Sequence, residues 1–161
     1  MNIFRLQMML DLLNEMQVAI PQFEITAIAE DYWDDEPVEV TRVISKFSLN
    51  DWTDALESSD PSEQKSCGYS ACAVGHAMFD PRFNALGLVQ HEGSPMYEGQ
   101  LDWTAVQQFF GISYDTASLL FSPGSYDTGD DDNADATPAD VAERVQVLLL
   151  HGEIELIDRY Y

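Results

Sequence analysis

The chain has 161 residues, of which 45% are hydrophobic, and its 29 acidic residues face only seven lysines and arginines, giving a formal charge of −22. This length and composition predict one acidic globular domain spanning residues 1–161, and they exclude wholesale disorder. The charge excludes direct binding of nucleic acid or anionic membranes, and it favours a basic partner surface.

The N-terminal third predicts one clear helix followed by ambiguous segments. Residues 2–18 suit a helix with an apolar stripe formed by Leu6, Met9, Leu13 and Met16. Residues 23–29 alternate as a strand does, although a continued helix stays open, and residues 38–47 suit a strand or a short helix. Residues 50–56 resemble the start of a further helix.

The middle of the chain holds the segment we predict to be its buried centre, residues 66–88. This segment contains both cysteines and carries almost no surplus charge. We expect a short helix from about Ala71 to Phe79, ended by Pro81. Residues 89–98 then predict a small hairpin or an extended loop.

Two short helices are predicted next. Asp102 is expected to cap the first, which ends at Phe110 with Gly111 at the C′ position. Ser113 is expected to cap the second, which ends at Phe121.

A final long helix is predicted near the C-terminus. Thr137, Pro138 and Asp140 have the order of a cap, an N1 proline and an N3 acid, and Gly152 fits the helix end. Residues 154–161 suit a turn or a strand. The predicted fold class is therefore mainly α in a single compact helical domain, with α+β containing a small hairpin as the alternative.

Cys67, Cys72 and His76 are the residues of metal-binding type that cluster in the sequence. A structural zinc site needs four ligands, commonly with closer cysteine spacing, and only the remote His91 offers a fourth. We expect Cys72 to pack as a small hydrophobe and His76 to bond a carbonyl or a carboxylate. A Cys–His nucleophile is disfavoured because nothing marks an oxyanion site.

The acidic run at residues 127–135 has some features of a calcium loop. Asp131, Asn133 and Asp135 match the first ligand positions, but Ala136 stands where glycine is needed and Ala142 where glutamate is needed. The sequence therefore predicts no EF-hand, no metal and no cofactor.

Residues 105–118 resemble a repressor-type helix-turn-helix, with Gly111, Ile112 and Ser113 in the usual order. A DNA reader needs basic residues for the phosphates, yet no lysine or arginine occurs from residue 83 to residue 143. The pattern therefore predicts helix packing without DNA binding.

Three groups of residues carry a resemblance to a known class of sequences. They are Cys67-Gly68-x-x-Ala71-Cys72-x-x-Gly75-His76-Ala77; Phe109-Phe110-Gly111-Ile112 with Ala117-x-Leu119-Leu120-Phe121-x-Pro123 and Tyr126; and Thr137-Pro138-x-x-Val141-Ala142-x-Arg144. The chain thus resembles, over residues 66–150, a group of small uncharacterised proteins of bacteria, their phages and plasmids. The resemblance implies a structural role for Cys67, Cys72 and Gly75 and a mobile-element origin, but no catalytic residue or substrate.

Two acidic patches are the predicted partner-binding sites. The first places carboxylates around two aromatic rings and the second is a run of acids, and both suit a basic protein groove because aromatic rings anchor while charges steer. Their residues are Asp31, Tyr32, Trp33, Asp34, Asp35 and Glu36, then Asp130, Asp131, Asp132 and Asp135.

The sequence leaves two kinds of function open. One is an inhibitor of DNA-mimic type that occupies the nucleic-acid-binding surface of a restriction, CRISPR or other defence protein. The other is a salt-adapted or highly soluble binding protein, since 17 aspartates and two lysines are also typical of salt adaptation. An enzyme is not predicted, because no nucleophile–base pair, phosphate loop or metal set is apparent. The absence of a span of about 18 apolar residues or of a signal-peptide cleavage site predicts a cytoplasmic protein.

Overall fold

The computed structural model describes residues 1–29, 38–50, 52–53, 69–126 and 136–160. These residues form seven α-helices, one 3-10 helix and six strands, so the fold is α+β with much helix, the alternative that the sequence left open, rather than a helical domain alone. In chain order the elements are α1 (Ile3–Val18), β1 (Phe23–Ala29), β2 (Val38–Phe47), β3 (Tyr69–Ala71), α2 (Ala73–Phe79), α3 (Pro81–Asn84), β4 (Val89–His91), β5 (Ser94–Tyr97), β6 (Gln100–Leu101), α4 (Asp102–Phe110), α5 (Tyr114–Phe121), the 3-10 helix (Pro123–Ser125), α6 (Pro138–His151) and α7 (Glu153–Tyr160).

The first sheet has the strand order β1-β2-β3. Strands β1 and β2 are antiparallel and β3 lies parallel to β2, so the strand interpretations of both ambiguous segments are confirmed. β-Branched side chains suit a pleated surface, and Ile25 and Ile44 are buried on it beside Tyr69 and Ala71.

The main core lies between the helices. The predicted stripe of α1 is buried as expected, and α1 packs along α6. Three phenylalanines from α3, α4 and α5, namely Phe83, Phe109 and Phe121, are fully or almost fully buried in the same cluster. Burial of this apolar stripe, rather than helix propensity, holds α1 in place.

Several predicted helix ends are confirmed because they depend only on local sequence. Ser113 accepts a bond from the Thr116 backbone N–H, and Thr137 and Asp140 form a reciprocal capping box at α6. Gly111 ends α4 in the left-handed region at φ +63°. Glycine adopts this conformation without the steric cost that a Cβ atom would add.

Other predicted boundaries are wrong. Asp102 does not cap α4: it is the first helical residue, at φ +53°, and the N-cap position is Leu101, which makes no side-chain bond. The C-terminal stretch is the helix α7, because Leu156 is fully buried against the core while Glu155, Asp158 and Arg159 are exposed. Ala71 belongs to β3, so α2 starts only at Ala73.

The segment after α3 forms the second sheet, with the order β4-β5-β6. It extends the predicted hairpin by one further strand and contacts α4. Among the described residues, no helix combines the length and the apolar character needed to cross a bilayer.

Candidate interaction site

Both predicted acidic patches, residues 31–36 and the acids of residues 130–135, lie outside the described residues, as do Cys67 and the calcium-like run. The structure therefore leaves those predictions untested. The described part of the chain nevertheless shows how its charges are distributed and where a cavity opens on its surface.

Arg5 on α1 is directed into the fold rather than to a carboxylate. Its Nη1 donates to the carbonyl oxygen of Phe109 at 2.7 Å, and its Nη2 donates to the hydroxyl of Tyr97 at 3.0 Å. The guanidinium also lies 4.4 Å from the ring centre of Phe109 and 5.0 Å from that of Tyr97. Neutral acceptors and aromatic rings satisfy this cation, so it offsets no surface acid.

Arg144 on α6 repeats this arrangement, with only 8% of the residue exposed. Its guanidinium donates to the carbonyl oxygens of Leu119 at 2.6 Å and Ser125 at 2.7 Å. It lies 3.6 Å from the ring centre of Tyr126 and 4.6 Å from that of Tyr160. Burial raises the pKa of the Tyr126 phenol, with a smaller opposing effect from the adjacent Arg144 charge. The arginine thus joins α5, the 3-10 helix and α6 as a structural cation.

The remaining described cations are divided between the interior and the surface. Arg42 is buried over the ring of Tyr69. Arg82 bonds both Asp80 and Glu15, and these contacts raise the pKa of its guanidinium, the Asp80 hydrogen bond most strongly. Arg159 pairs with Glu155 across one turn of α7, leaving Lys46 as an exposed cation.

The described carboxylates, in contrast, point outward. All of them except Asp80 and Glu153 belong to exposed residues. Since Arg5 and Arg144 are held by carbonyl oxygens and aromatic rings inside the fold, the outer surface is more acidic than the balance of residue types alone indicates.

A cavity of about 310 Å³ opens on this surface between the β4–β5 turn, α4 and the described residues that follow β2, from Leu49 to Thr53. Its inner part is apolar and includes Leu49, Cys72 and Phe121, all buried. Trp52 and Trp103 line it, and the acidic residue Glu92 is among its lining residues. The lining therefore combines aromatic and apolar side chains with a comparable amount of polar surface.

Gly75 is the residue that allows Trp52 to reach this cavity. A Cβ atom at Gly75 would lie 1.8 Å from the carbonyl oxygen of Trp52, so the backbone of residues 52–53 can approach α2 only over a glycine. Thr53 also forms an isolated bridge to Ala71. The motif residue Gly75 therefore has a structural role, as the resemblance implied, and it positions one wall of the cavity.

Three aromatic rings form a row from the cavity to the surface. The ring centres of Trp52 and Trp103 are 4.9 Å apart, and those of Trp103 and Tyr114 are 6.1 Å apart at a near-perpendicular angle. Trp52 and Trp103 are half-buried, whereas Tyr114 is 54% exposed. We call Trp52, Trp103 and Tyr114 the aromatic row.

The second sheet places Glu92 at the cavity through an unusual turn. The register of β4 and β5 leaves Glu92 and Gly93 as a two-residue loop, and both have positive φ, at +49° and +88°. This is the type I′ geometry, in which asparagine or aspartate followed by glycine is preferred. Glu98 and Gly99 form a matching turn between β5 and β6, but they do not line the cavity.

His76 and Cys72 have structural positions beside this site. As predicted, both are buried and His76 bonds a carbonyl: its Nε2 donates to Lys46 at 2.9 Å. The ring stacks on Phe47, and burial lowers its pKa against a smaller opposing effect of the Lys46 bond. Cys72 is the N-cap of α2, its Sγ accepting the Gly75 N–H at 3.3 Å. Among the described residues, no three side chains of metal-binding type lie close enough to hold an ion.

Sequence reasoning missed this cavity because its walls come from distant segments. Trp52, Cys72, Glu92 and Trp103 are separated by up to fifty-one positions and meet only in the fold. The available local signal was the pair Glu92-Gly93 between two short apolar runs, because this pair predicts a turn that exposes an acid.

No protein-family model, no curated protein and no solved structure matches this chain. The resemblance to small proteins of bacteria and mobile elements thus stays a prediction, and function has to be inferred from the chemistry of the surface.

Proposed function

We propose that this protein is an acidic interaction protein which occupies the basic nucleic-acid-binding surface of a host defence protein in the cytoplasm, as a mimic of DNA. The observation that carries the proposal is the sorting of charge. Arg5, Arg42 and Arg144 are retained inside the fold, while the described acids are almost all exposed. A surface of this kind attracts cationic proteins and repels nucleic acid.

The repeated carboxylates on exposed helix faces support this proposal. Acids three or four positions apart on a helix have their Cβ atoms roughly 5–6 Å apart, which imitates a row of phosphates coarsely. Asp140 and Glu143 have this spacing on α6. Asp11 and Glu15 on α1 and Glu155 and Asp158 on α7 share it, although Glu15 pairs with Arg82 and Glu155 with Arg159. The proposed partner is therefore a protein groove that binds DNA through the charge of the DNA backbone and does not recognise the base sequence.

Competition with duplex DNA tests the mimicry directly. The immobilised protein is incubated with bacterial lysate at 50 mM salt, and retained proteins are challenged with a short duplex or with an equal concentration of a neutral polymer. The proposal expects nucleic-acid-binding proteins that the duplex displaces and the neutral polymer does not. Retention that the duplex leaves unchanged would contradict mimicry.

A matched pair of triple variants tests the predicted patch. Reversal of Asp34, Asp35 and Glu36 to lysine is compared with reversal of three exposed acids elsewhere, D11K, E24K and D158K, which changes the net charge equally. Association with the duplex-displaced protein is expected to slow with the first variant and to change less with the second, because steering depends on local charge. Equal losses would show that total charge alone governs binding.

Salt adaptation, the second function class left open by the sequence, leads to a different expected result. A salt-adapted protein would unfold at low ionic strength and would retain no basic partner there. Urea unfolding between 50 mM and 2 M sodium chloride separates the two, since a mimic must be folded at the low salt where its binding is strongest.

A further inference from the structure

We infer that the cavity between Trp52, Trp103 and Glu92 is an anchor site for one arginine side chain of a basic protein. This inference rests on the proposed function, because it names what the acidic surface receives. It goes beyond that function by assigning a defined pocket and a side-chain class.

The first reason is the pairing of charge with aromatic rings. Glu92 is exposed at the cavity, and no described cation pairs with its carboxylate. Trp52 and Trp103 line the same space. A guanidinium placed there meets both a carboxylate and indole rings, which together favour a cation with an apolar stem.

The second reason is that the chain already uses this chemistry in its own interior. Arg144 lies against the rings of Tyr126 and Tyr160, and Arg5 lies against those of Tyr97 and Phe109. In both cases oxygen acceptors complete the contact. Arginine suits such a site better than lysine, because its planar group stacks on rings and is more weakly hydrated.

The turn between β4 and β5 places Glu92 at the cavity, and the next turn of the same sheet offers a comparison. A glutamate at φ +49° occupies a region that L-residues other than asparagine and aspartate rarely adopt, and the type I′ turn imposes it at both Glu92 and Glu98. Glu98 shares the conformation without lining the cavity, so it supplies the matched control rather than a second site.

A small probe tests the pocket without any partner. N-acetyl-arginine amide is titrated at 150 mM salt while the ¹H–¹⁵N spectrum is recorded, and N-acetyl-citrulline amide serves as the neutral analogue of the same shape. We expect saturable shifts of the Trp52 and Trp103 indole signals with the arginine compound alone. Equal shifts with citrulline, or no shift of these signals, would overturn the inference.

Protein variants then locate the interaction. E92Q is expected to weaken arginine-amide binding by about fivefold, the upper range for one partly exposed ion pair, whereas E98Q removes the same charge from a matching turn and should leave binding unchanged. W103L should also weaken binding, and W103F should recover part of it. Equal effects of E92Q and E98Q on arginine-amide binding would show that general charge attraction explains the binding, and they would overturn the inference of an arginine site in the cavity.

The two proposals fail separately. If the arginine probe does not bind while duplex-displaced protein is still retained, the pocket is wrong and the acidic function stands. If the probe binds at the cavity while no retained protein is displaced by duplex DNA, the mimic function is wrong.

Discussion

Gly75 illustrates how one residue without a side chain determines the position of a distant segment. It lies within the Cys-Gly-x-x-Ala-Cys-x-x-Gly-His motif, on the buried face of α2, under the backbone of Trp52. The contact is with a carbonyl oxygen, which cannot rotate away as a side chain does. The glycine therefore couples α2 to the wall of the cavity.

A substitution at Gly75 should be costly in proportion to this contact. We expect G75A to lower the free energy of unfolding by about 1–3 kcal/mol, because the new methyl group forces the Trp52 backbone away. Urea unfolding measures the loss, and tryptophan fluorescence should shift as Trp52 moves. G124A is the control: no atom lies within 4 Å of a Cβ there, so a loss of similar size would contradict the steric explanation.

His76 makes the stability of the fold sensitive to pH. Burial lowers the pKa of its imidazole, so the folded chain holds the ring neutral while the unfolded chain can protonate it. Its stabilising contribution is therefore present above the ordinary histidine pKa of about 6.5 and is lost as the pH falls below it.

The H76Q variant isolates this contribution. We expect H76Q to be less stable than the parent chain at pH 7.5, because ring packing is lost, and the difference in unfolding free energy to shrink at pH 5.5. Urea denaturation at the two pH values measures it. H91Q changes an exposed histidine and should be as stable as the parent chain at both pH values. If the difference in unfolding free energy between H76Q and the parent chain is the same at both pH values, His76 does not take up a proton on unfolding.

At the scale of elements, the paired turns of the second sheet combine an acidic residue with an unfavourable backbone conformation. Glu98 has φ +50° in a type I′ turn, a position where asparagine is preferred. We expect E98N to raise the free energy of unfolding by about 1 kcal/mol, measured as a higher urea midpoint. E98Q removes the same charge and keeps the backbone cost; if it stabilises equally, charge rather than conformation is responsible.

The capping box of α6 gives a second prediction at this scale. Thr137 donates to the Asp140 carboxylate from its side chain and its backbone, and in that order these bonds lower the pKa of Asp140. T137A should cost about 1 kcal/mol at pH 7, and T137S should cost much less. The lowered pKa of Asp140 stabilises the fold at pH values above the ordinary carboxyl pKa, near 4. The loss of unfolding free energy caused by T137A should therefore become smaller as the pH falls below 4. If T137A costs as much unfolding free energy at pH 3 as at pH 7, the stability of the capping box does not depend on the ionisation of Asp140.

The elements also show what sequence can and cannot predict. The caps at Ser113 and Thr137 and the buried stripe of α1 were predictable because each depends on neighbours within four residues. The parallel pairing of β3 with β2 was not, since it joins segments more than twenty residues apart. α7 differs from the predicted turn or strand although four of its eight residues are apolar, because the segment is short and its burial depends on contacts with α5 and α6.

The candidate site divides in the same way. The acidic character of the surface follows from the residue count, but the internal placement of Arg5 and Arg144 does not. Their acceptors are carbonyl oxygens of distant residues, and no spacing in the sequence indicates them. The cavity likewise depends on the approach of residues 52–53 to α2.

For the whole molecule, mutual repulsion among carboxylates should oppose folding at neutral pH. The folded chain holds these charges closer together than the unfolded chain does, so a condition that weakens their repulsion should stabilise the fold.

Salt supplies a measurement of the same repulsion. Raising sodium chloride from 50 to 500 mM at pH 7 should increase the unfolding free energy of the parent chain, because the electrostatic screening length then falls to a few ångströms. A stability that falls with added salt would show that attractive contacts of the acids outweigh their repulsion.

The internal arginines have a consequence for proteolysis. Trypsin cuts after lysine and arginine, and between Arg82 and Arg144 the chain offers it no site at all. Arg42 and Arg144 are buried, so native protein should resist cleavage at both, and the denatured chain should yield one long acidic peptide from the middle of the fold. Such a peptide is poorly recovered in routine digests. A glutamate-specific protease, whose sites Glu92 and Glu98 lie exposed at hairpin turns, should instead cut this region readily.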